Sequence, residues 1–231
     1  MINFKYYSLA QAQDAQGIAV VIDVLRAFTT AAIAFETGAE LICPVSGVEE
    51  AIHLRKEMHG SLTMGEENGS KPEGFDYGNS PTEIAKADLS GRTIIQRTSA
   101  GTQGIVRVVN ADQIIAASFV VASATAAYLR KLKPDYVSFI ITGSSFGRDG
   151  DEDRACAEYI ETLVTGRDPD PDDYISRVGS STVGRIFLNH NHACFHPDDL
   201  SLSIQVDRLP FVLLVSRGNK GFIMRRVFQV V

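Results

Sequence analysis

The chain predicts a largely parallel α/β sheet with an antiparallel edge. Short β-branched apolar runs alternate with helical segments over most of its length, the order that builds parallel sheets. Two apolar runs near the C-terminus flank a Gly-Asn turn and read as a β-hairpin. The 231 residues are 45% hydrophobic and 22% charged, with mean hydropathy +0.01. That is enough to bury a core without disulfide staples. No repeat or strong linker interrupts the pattern, so one domain over residues 1–231 is expected.

The first strand is Ile18-Ala19-Val20-Val21-Ile22, apolar on both faces and therefore buried on both. An Ala-rich helix over 29–37 follows and stops at Gly38. Residues 41–45 form the next strand, and 48–59 an amphipathic helix with Ala51, Leu54, Arg55 and Met58 at helical spacing. A short strand is expected at 61–64. Residues 65–81 hold four glycines and two prolines, too many breakers for a regular element. Long loops of this kind in compact domains are usually functional.

The alternation then resumes. Strands are expected at 93–96, 113–117 and 136–142, with helices over 101–109, 122–132 and 151–165. The acidic, proline-interrupted run 168–173 reads as a solvated loop, and 211–216 with 222–231 form the hairpin.

A net charge of -6 and a pI near 5.4 leave no basic field for a nucleic-acid backbone. Three widely spaced cysteines make a poor disulfide framework and suit a reducing compartment. No leader is recognisable at the N-terminus and no apolar run reaches the ~20 residues of a membrane span. A cytoplasmic protein without membrane or nucleic-acid partners is expected, with a homodimer as the default assembly.

Open α/β sheets bind ligands beyond the carboxyl ends of their strands. After 18–22 comes Asp23-Val24-Leu25-Arg26-Ala27-Phe28-Thr29-Thr30. Asp23 can hold Mg²⁺, act as nucleophile or merely cap the helix; Arg26 can fork onto phosphate oxygens or merely pair with Asp23. After 93–96 comes Arg97-Thr98-Ser99-Ala100-Gly101-Thr102, small and hydroxylated residues at a strand-to-helix turn. They form either an oxyanion nest or a capped turn, with Arg97 a second cation or a surface residue. After 136–142, Glu152 and Asp153 stand where a helix begins. The helix dipole explains acids there, and so does a hard divalent cation.

Several separated blocks resemble the 2-phosphosulfolactate phosphatase (ComB-like) family. They are Val21-Ile22-Asp23-Val24-Leu25-Arg26-Ala27, Gly65-Glu66 leading to Gly74-Phe75-Asp76-Tyr77-Gly78-Asn79-Ser80-Pro81, and Thr98-Ser99-Ala100-Gly101-Thr102. Glu152-Asp153 with Ala155-Cys156-Ala157, Asp198-Asp199 and Gln205-Val206-Asp207-Arg208 complete the series, which runs from about Val20 to Val227. One departure is visible: the family's commoner Thr-Thr-Asn-Gly-Thr-Arg turn has Ala100 and Gln103 in place of its Asn and Arg.

The resemblance implies a three-layer α/β/α sandwich around a mostly parallel mixed sheet. It also implies a Mg²⁺-dependent phosphatase that takes a small anionic phosphate ester, (2R)-phospho-3-sulfolactate, in coenzyme M or sulfolactate metabolism. It makes Asp23 and Arg26 the catalytic candidates. Asp23, Glu66, Glu152 and Asp153 become the candidate metal ligands. Asn79, Ser80, Arg97, Thr98, Ser99, Gly101 and Thr102 become the candidate substrate contacts. Asn79 and Ser80 also suit a turn that starts a helix at Thr82.

Two other readings use the same residues. An isochorismatase-type cysteine hydrolase would require an exposed Cys156. A non-catalytic small-anion-binding protein would keep the pocket without turnover. His190, His192, Cys194 and His196 share a face if extended and could hold Zn²⁺, although their spacing matches no closed zinc motif. The competing expectation is a polar turn before Pro197.

Overall fold

The computed structural model describes residues 2–145, 147–189, 194–219 and 221–228. Its first part runs β1 (Asn3–Ser8), β2 (Ile18–Ile22), α1 (Ala27–Glu36), β3 (Leu41–Val45), α2 (Val48–Glu57) and β4 (Leu62–Gly65). The middle runs α3 (Pro81–Ile84), β5 (Thr93–Arg97), α4 (Gly101–Arg107), β6 (Gln113–Ala117), α5 (Ala122–Leu132) and β7 (Tyr136–Ile141). The last part runs α6 (Asp151–Val164), α7 (Asp172–Ser180), α8 (Thr182–Leu188), α9 (Pro197–Ser203), β8 (Phe211–Gly218) and β9 (Gly221–Phe228). These strands form one nine-stranded sheet in the order β1-β7-β2-β6-β8-β9-β3-β5-β4.

Strands β1, β7, β2 and β6 pair in parallel, as do β3, β5 and β4. The C-terminal hairpin lies between the two groups, not at the edge where it was expected. Its composition explains the position. Phe211, Leu213 and Val215 face one core cluster while Val212 and Leu214 face another, so β8 is apolar on both sides and suits a central place. The outer edge is taken by β1, whose Phe4 and Tyr6 stack or tilt against Phe139.

The pairings β6–β8, β8–β9 and β9–β3 are all antiparallel, so β3, β5 and β4 run opposite to β2 along the ladder. Sheet twist largely undoes that opposition. Five strand steps separate β2 from β5, and at about 20–25° each they accumulate about 100–125°. The C-terminal tips of β2 and β5 are thereby left free to meet, and they do.

Helix α1 occupies the inside of the curl. Every residue from Ala27 to Phe35 is buried, as befits a helix apolar all round. One cluster joins it to Val21, Ala116, Leu213, Ile42, Ile94 and Met64, from both groups of strands. On the opposite face, α5 and α6 cover β2, β6 and β7, and α2 covers β3 and β5. The layers are helix, sheet and helix.

Helices α7 to α9 have no counterpart in the elements expected above, and α7 begins inside the acidic run expected as a loop, at Asp172. They are 9, 7 and 7 residues long, too short for a stable period to stand out in sequence.

Helix α4 approaches β2 closely at Gly104, where an added Cβ would lie 2.5 Å from Val21 Cγ1 and 2.9 Å from Thr142 Cγ2. Gly104→Ala is expected to lower stability by about 1–3 kcal/mol through overpacking, read as a shift of the urea midpoint at constant slope.

Candidate active site

The turn that leaves β2 is the centre of the site. Asp23 Oδ1 accepts the Ala27 N–H at 2.9 Å and so caps α1, while its other oxygen lies toward the turn after β5. The capping and functional readings of Asp23 are thus compatible. Gly101 in that turn allows the approach: a Cβ there would stand 2.8 Å from Asp23 Oδ2 and 2.6 Å from Ala27 Cβ. Thr29 and Thr30 do not reach the cleft. Their hydroxyls donate back to the Val24 and Arg26 carbonyls inside the protein.

Arg26 is buried and held on three sides. Its Nη1 donates to Asp199 Oδ2 at 2.7 Å and to the Cys194 carbonyl at 3.0 Å. Its guanidinium carbon lies 5.2 Å and 5.0 Å from the Phe187 and Phe195 ring centroids, within cation–π range. Asp199, fully buried, also accepts the Ser80 hydroxyl at 2.6 Å and the Thr82 N–H at 3.2 Å. Arg26 therefore pairs with Asp199 from α9, not with its neighbour Asp23.

The turn after β5 has a more structural character than the sequence suggests. Thr98 and Thr102 bond each other's backbone N–H groups with their hydroxyls, at 2.9 and 3.0 Å, and both are buried. They shape the turn, and Ser99 and Ala100 face the cleft. Arg97 is turned to the loop after β4, where it donates to the Glu66 carbonyl and pairs with Glu67 at 2.9 Å. Gln103 braces the same turn through the Thr98 and Ser46 carbonyls.

Glu66 is committed at both oxygens. Oε1 accepts the Ser99 N–H at 2.6 Å; Oε2 accepts the Gly69 N–H at 2.7 Å and the Ser99 hydroxyl at 3.0 Å. Ser80 is likewise spent, donating to Asp199 and capping α3 by accepting from the Glu83 N–H. Asn79 beside it is buried, yet its Oδ1 has no partner among the described residues.

Behind Asp23 stand Glu152 and Asp153 in the first turn of α6. Asp153 accepts the Val24 N–H at 2.8 Å and the Gly143 N–H at 2.7 Å, stapling the β2 tip to the β7 tip. Burial pushes its carboxyl well above the usual range, helped by the charges of Glu152 and Asp23. Burial also raises Asp23, with Glu66 adding to the effect and Arg148 opposing it. Glu152 is pushed up to about 7, first by burial and then by Asp23 and Asp149, and its Oε2 has no hydrogen-bond partner among the described residues.

These elements enclose a cleft of about 300 Å³ lined by Asp23, Arg26, Glu66, Asn79, Ser99 and Arg148, among others. The structure thus brings Asp23, Arg26, Glu66, Asn79 and Ser99 to one surface. It sets Glu152 and Asp153 behind them, and Ser80, Arg97, Thr98, Gly101 and Thr102 in support. Arg148 and Asp199 were missed as site residues. Arg148 follows the β7 tip, so the strand-tip rule itself pointed to it. Asp199 carries no local signal for its place beneath Arg26.

Among the described residues, no three His, Cys, Asp or Glu side chains are gathered at metal-holding geometry. His190 and His192 lie outside the described residues. Cys156 is fully buried in α6, and its thiol is pushed well above the usual range by burial and by Asp153 and Asp207. No described helix is long and apolar enough to cross a membrane.

A family model described as 2-phosphosulpholactate phosphatase matches residues 4–176. Over 168 residues the chain is 42% identical to the "Probable 2-phosphosulfolactate phosphatase" of Thermotoga petrophila, covering 65% of this chain and 72% of that protein. It is 45% identical over 145 residues to the protein of that name from Carboxydothermus hydrogenoformans, covering 63% of this chain and 59% of the other. The Bacillus subtilis protein of the same name is 31% identical over 223 residues, covering 96% of this chain and 95% of the other.

Two outcomes follow from the charges. Asp199→Asn leaves a buried guanidinium without its counter-ion and is expected to cost about 3–5 kcal/mol in denaturant unfolding. The second concerns pH. Between the ordinary glutamate value near 4.5 and about 7, folded Glu152 keeps a proton that the unfolded chain has released. The share of stability that Glu152 contributes without divalent cations should therefore be lost as pH rises through that window, beside the contributions of Asp23 and Asp153, whose carboxyls are raised too. Glu152→Gln should flatten the slope of urea midpoint against pH.

Proposed function

The chain belongs to the 2-phosphosulfolactate phosphatase family, and from that premise we propose a Mg²⁺-dependent hydrolysis of (2R)-phospho-3-sulfolactate to (2R)-3-sulfolactate and phosphate. The observation that carries the reading is the turn after β2. It presents a buried carboxylate, Asp23, and an anchored guanidinium, Arg26, to one cleft. That substrate would place the protein in coenzyme M or sulfolactate metabolism.

The acids fit a hard divalent cation. Asp23, Glu152 and Asp153 are buried together with their carboxyls held toward the protonated form, and Glu152 Oε2 lacks a donor. Asp153 and Glu66 already satisfy their oxygens with protein donors, so Asp23 and Glu152 are the residues that would hold Mg²⁺. One or two carboxylates are its usual protein share, with water and substrate phosphate completing the shell. When bound, the ion would offset phosphoryl charge and polarise its oxygens. Glu66 and Asp153 position the two turns that meet at Asp23.

Arg26 supplies the fixed positive charge. Asp199 and the Cys194 carbonyl occupy Nη1, and among the described residues nothing hydrogen-bonds the rest of the fork, which leaves it to phosphoryl oxygens. Pre-orientation by Asp199 and two aromatic rings means little ordering remains to be done when substrate arrives. Arg148, which also lines the cleft, adds a second cation to it. Burial holds the Asp23 carboxyl toward its protonated form, and a cation beside it would favour the carboxylate that can coordinate.

The cysteine-hydrolase alternative lacks an exposed thiol, because Cys156 is enclosed in the core. Release of inorganic phosphate from phosphosulfolactate is the deciding measurement. It should require Mg²⁺, stop with EDTA, and fall by about 10³-fold or more in Asp23→Asn. Cys156→Ser should retain it. Loss in Cys156→Ser with retention in Asp23→Asn would overturn the reading, and saturable binding without phosphate release would favour the non-catalytic protein.

A further inference from the structure

The cleft has a second lobe that the phosphoryl chemistry leaves unused. It measures about 260 Å³ and shares Arg26, Gly69 and Asn79 with the first. Beyond that boundary it is lined by Lys71, Glu83, Cys194, His196 and Asp199, among others. Lys71 apart, the ionisable side chains around it have hydrogen-bond or ion-pair partners among the described residues. Arg26 has Asp199, His196 Nδ1 lies 3.4 Å from Asp198, and Glu83 Oε2 accepts the Gly78 N–H at 2.9 Å. Lys71 is exposed and has no hydrogen bond or ion pair among the described residues.

The backbone under Lys71 is nevertheless fixed. Glu67 and Ser70 exchange two backbone hydrogen bonds immediately before it, at 2.9 and 3.1 Å. Pro72 follows, and a residue before proline is confined to extended conformations. The ammonium is thus delivered to the lobe on a short flexible stem from a rigid base. At the boundary, buried Asn79 offers an unpartnered amide oxygen. Amide O and N are interchangeable by a flip, so the same group can donate to an anion.

We propose that Lys71 is a specificity residue that binds the second oxyanion of the substrate, a sulfonate or carboxylate, in this lobe while the phosphoryl group lies between Asp23 and Arg26. The assignment rests on the phosphatase reading and extends it. It gives the glycine- and proline-rich loop a task, since one charged residue of that loop lines the second lobe. Discrimination then follows from charge: an ester with a single anionic group leaves the ammonium solvated and forgoes its contribution.

Binding tests the lobe without turnover. Calorimetric titration of the wild-type protein, Lys71→Gln and Lys71→Arg with 3-sulfolactate, malate and lactate separates the sources of charge. Lys71→Gln should weaken 3-sulfolactate about five- to tenfold and Lys71→Arg should restore most of it, in the range of one charged hydrogen bond partly open to water. An equal loss for malate assigns the contact to any second anion, and a loss confined to 3-sulfolactate assigns it to the sulfonate. Lactate should bind weakly and alike in all three. Unchanged 3-sulfolactate affinity in Lys71→Gln, or no 3-sulfolactate binding to the wild type, overturns the proposal.

Kinetics give the second readout. Lys71→Gln should raise KM for phosphosulfolactate by a similar factor with little change in kcat, and lower its kcat/KM ratio over glycerol 2-phosphate. An equal loss on both esters overturns the specificity role. Absence of phosphate release by the wild type would instead count against the phosphatase reading, leaving the binding result to decide on Lys71.

Discussion

Burial of α1 on every side is the constraint from which the rest of the architecture follows. A helix with no solvent face must be covered by sheet or helix in all directions, and here strands of both senses supply the cover. The two parallel groups could not pack around it as a flat sheet, because their carboxyl ends would point apart. An antiparallel hairpin at the centre, with the accumulated twist of a wide sheet, turns them toward each other. The helix N-terminus then lies where the tips of β2, β5 and β7 converge. Asp23 is fixed there by its bond to Ala27, and a side chain larger than hydrogen at Gly101 would push it away.

The second organising fact is how charge is distributed in a protein of net charge -6. The negative total argues against a nucleic-acid partner but says little about the cleft. Within it, acids and bases are sorted. Asp23 lines one end, with Glu152 and Asp153 buried behind it, and all three carboxyls are raised by burial and by neighbouring negative charge, a costly arrangement for a protein without a cation to offset it. Arg26 and Arg148 line the wall beside them, and Lys71 lies beyond. An anion entering this cleft meets the local field, not the total.

Much of this was legible before the structure. The runs at 18–22, 41–45, 113–117 and 136–142 coincide with strands within a residue, because short β-branched apolar runs permit little else. The strand-tip rule located Asp23 and the Thr98 turn by the same logic. What sequence could not convey was which hydroxyls are spent. Thr29, Thr98 and Ser80 look like ligands for an anion, yet each closes a local backbone or carboxylate bond, the commonest fate of such groups near turns. Asp199 was equally opaque, since its partner lies 173 positions earlier in the chain.

That long separation bears on how the site is assembled. The family model ends at residue 176, and the described partners that immobilise the Arg26 guanidinium lie beyond it: Phe187, Cys194, Phe195 and Asp199. The central strands β8 and β9 lie beyond it too. The matched part carries the carboxylates and the turns that hold them, whereas the remainder carries the clamp on the guanidinium and part of the second lobe. Substitutions in the C-terminal quarter can therefore re-aim Arg26, or reshape the space beside Lys71, without disturbing Asp23 or its neighbours. On this fold, the setting of Arg26 and the shape of the second lobe change together, because Cys194 and Asp199 belong to both, whereas Asp23 and its turns are held by the matched part.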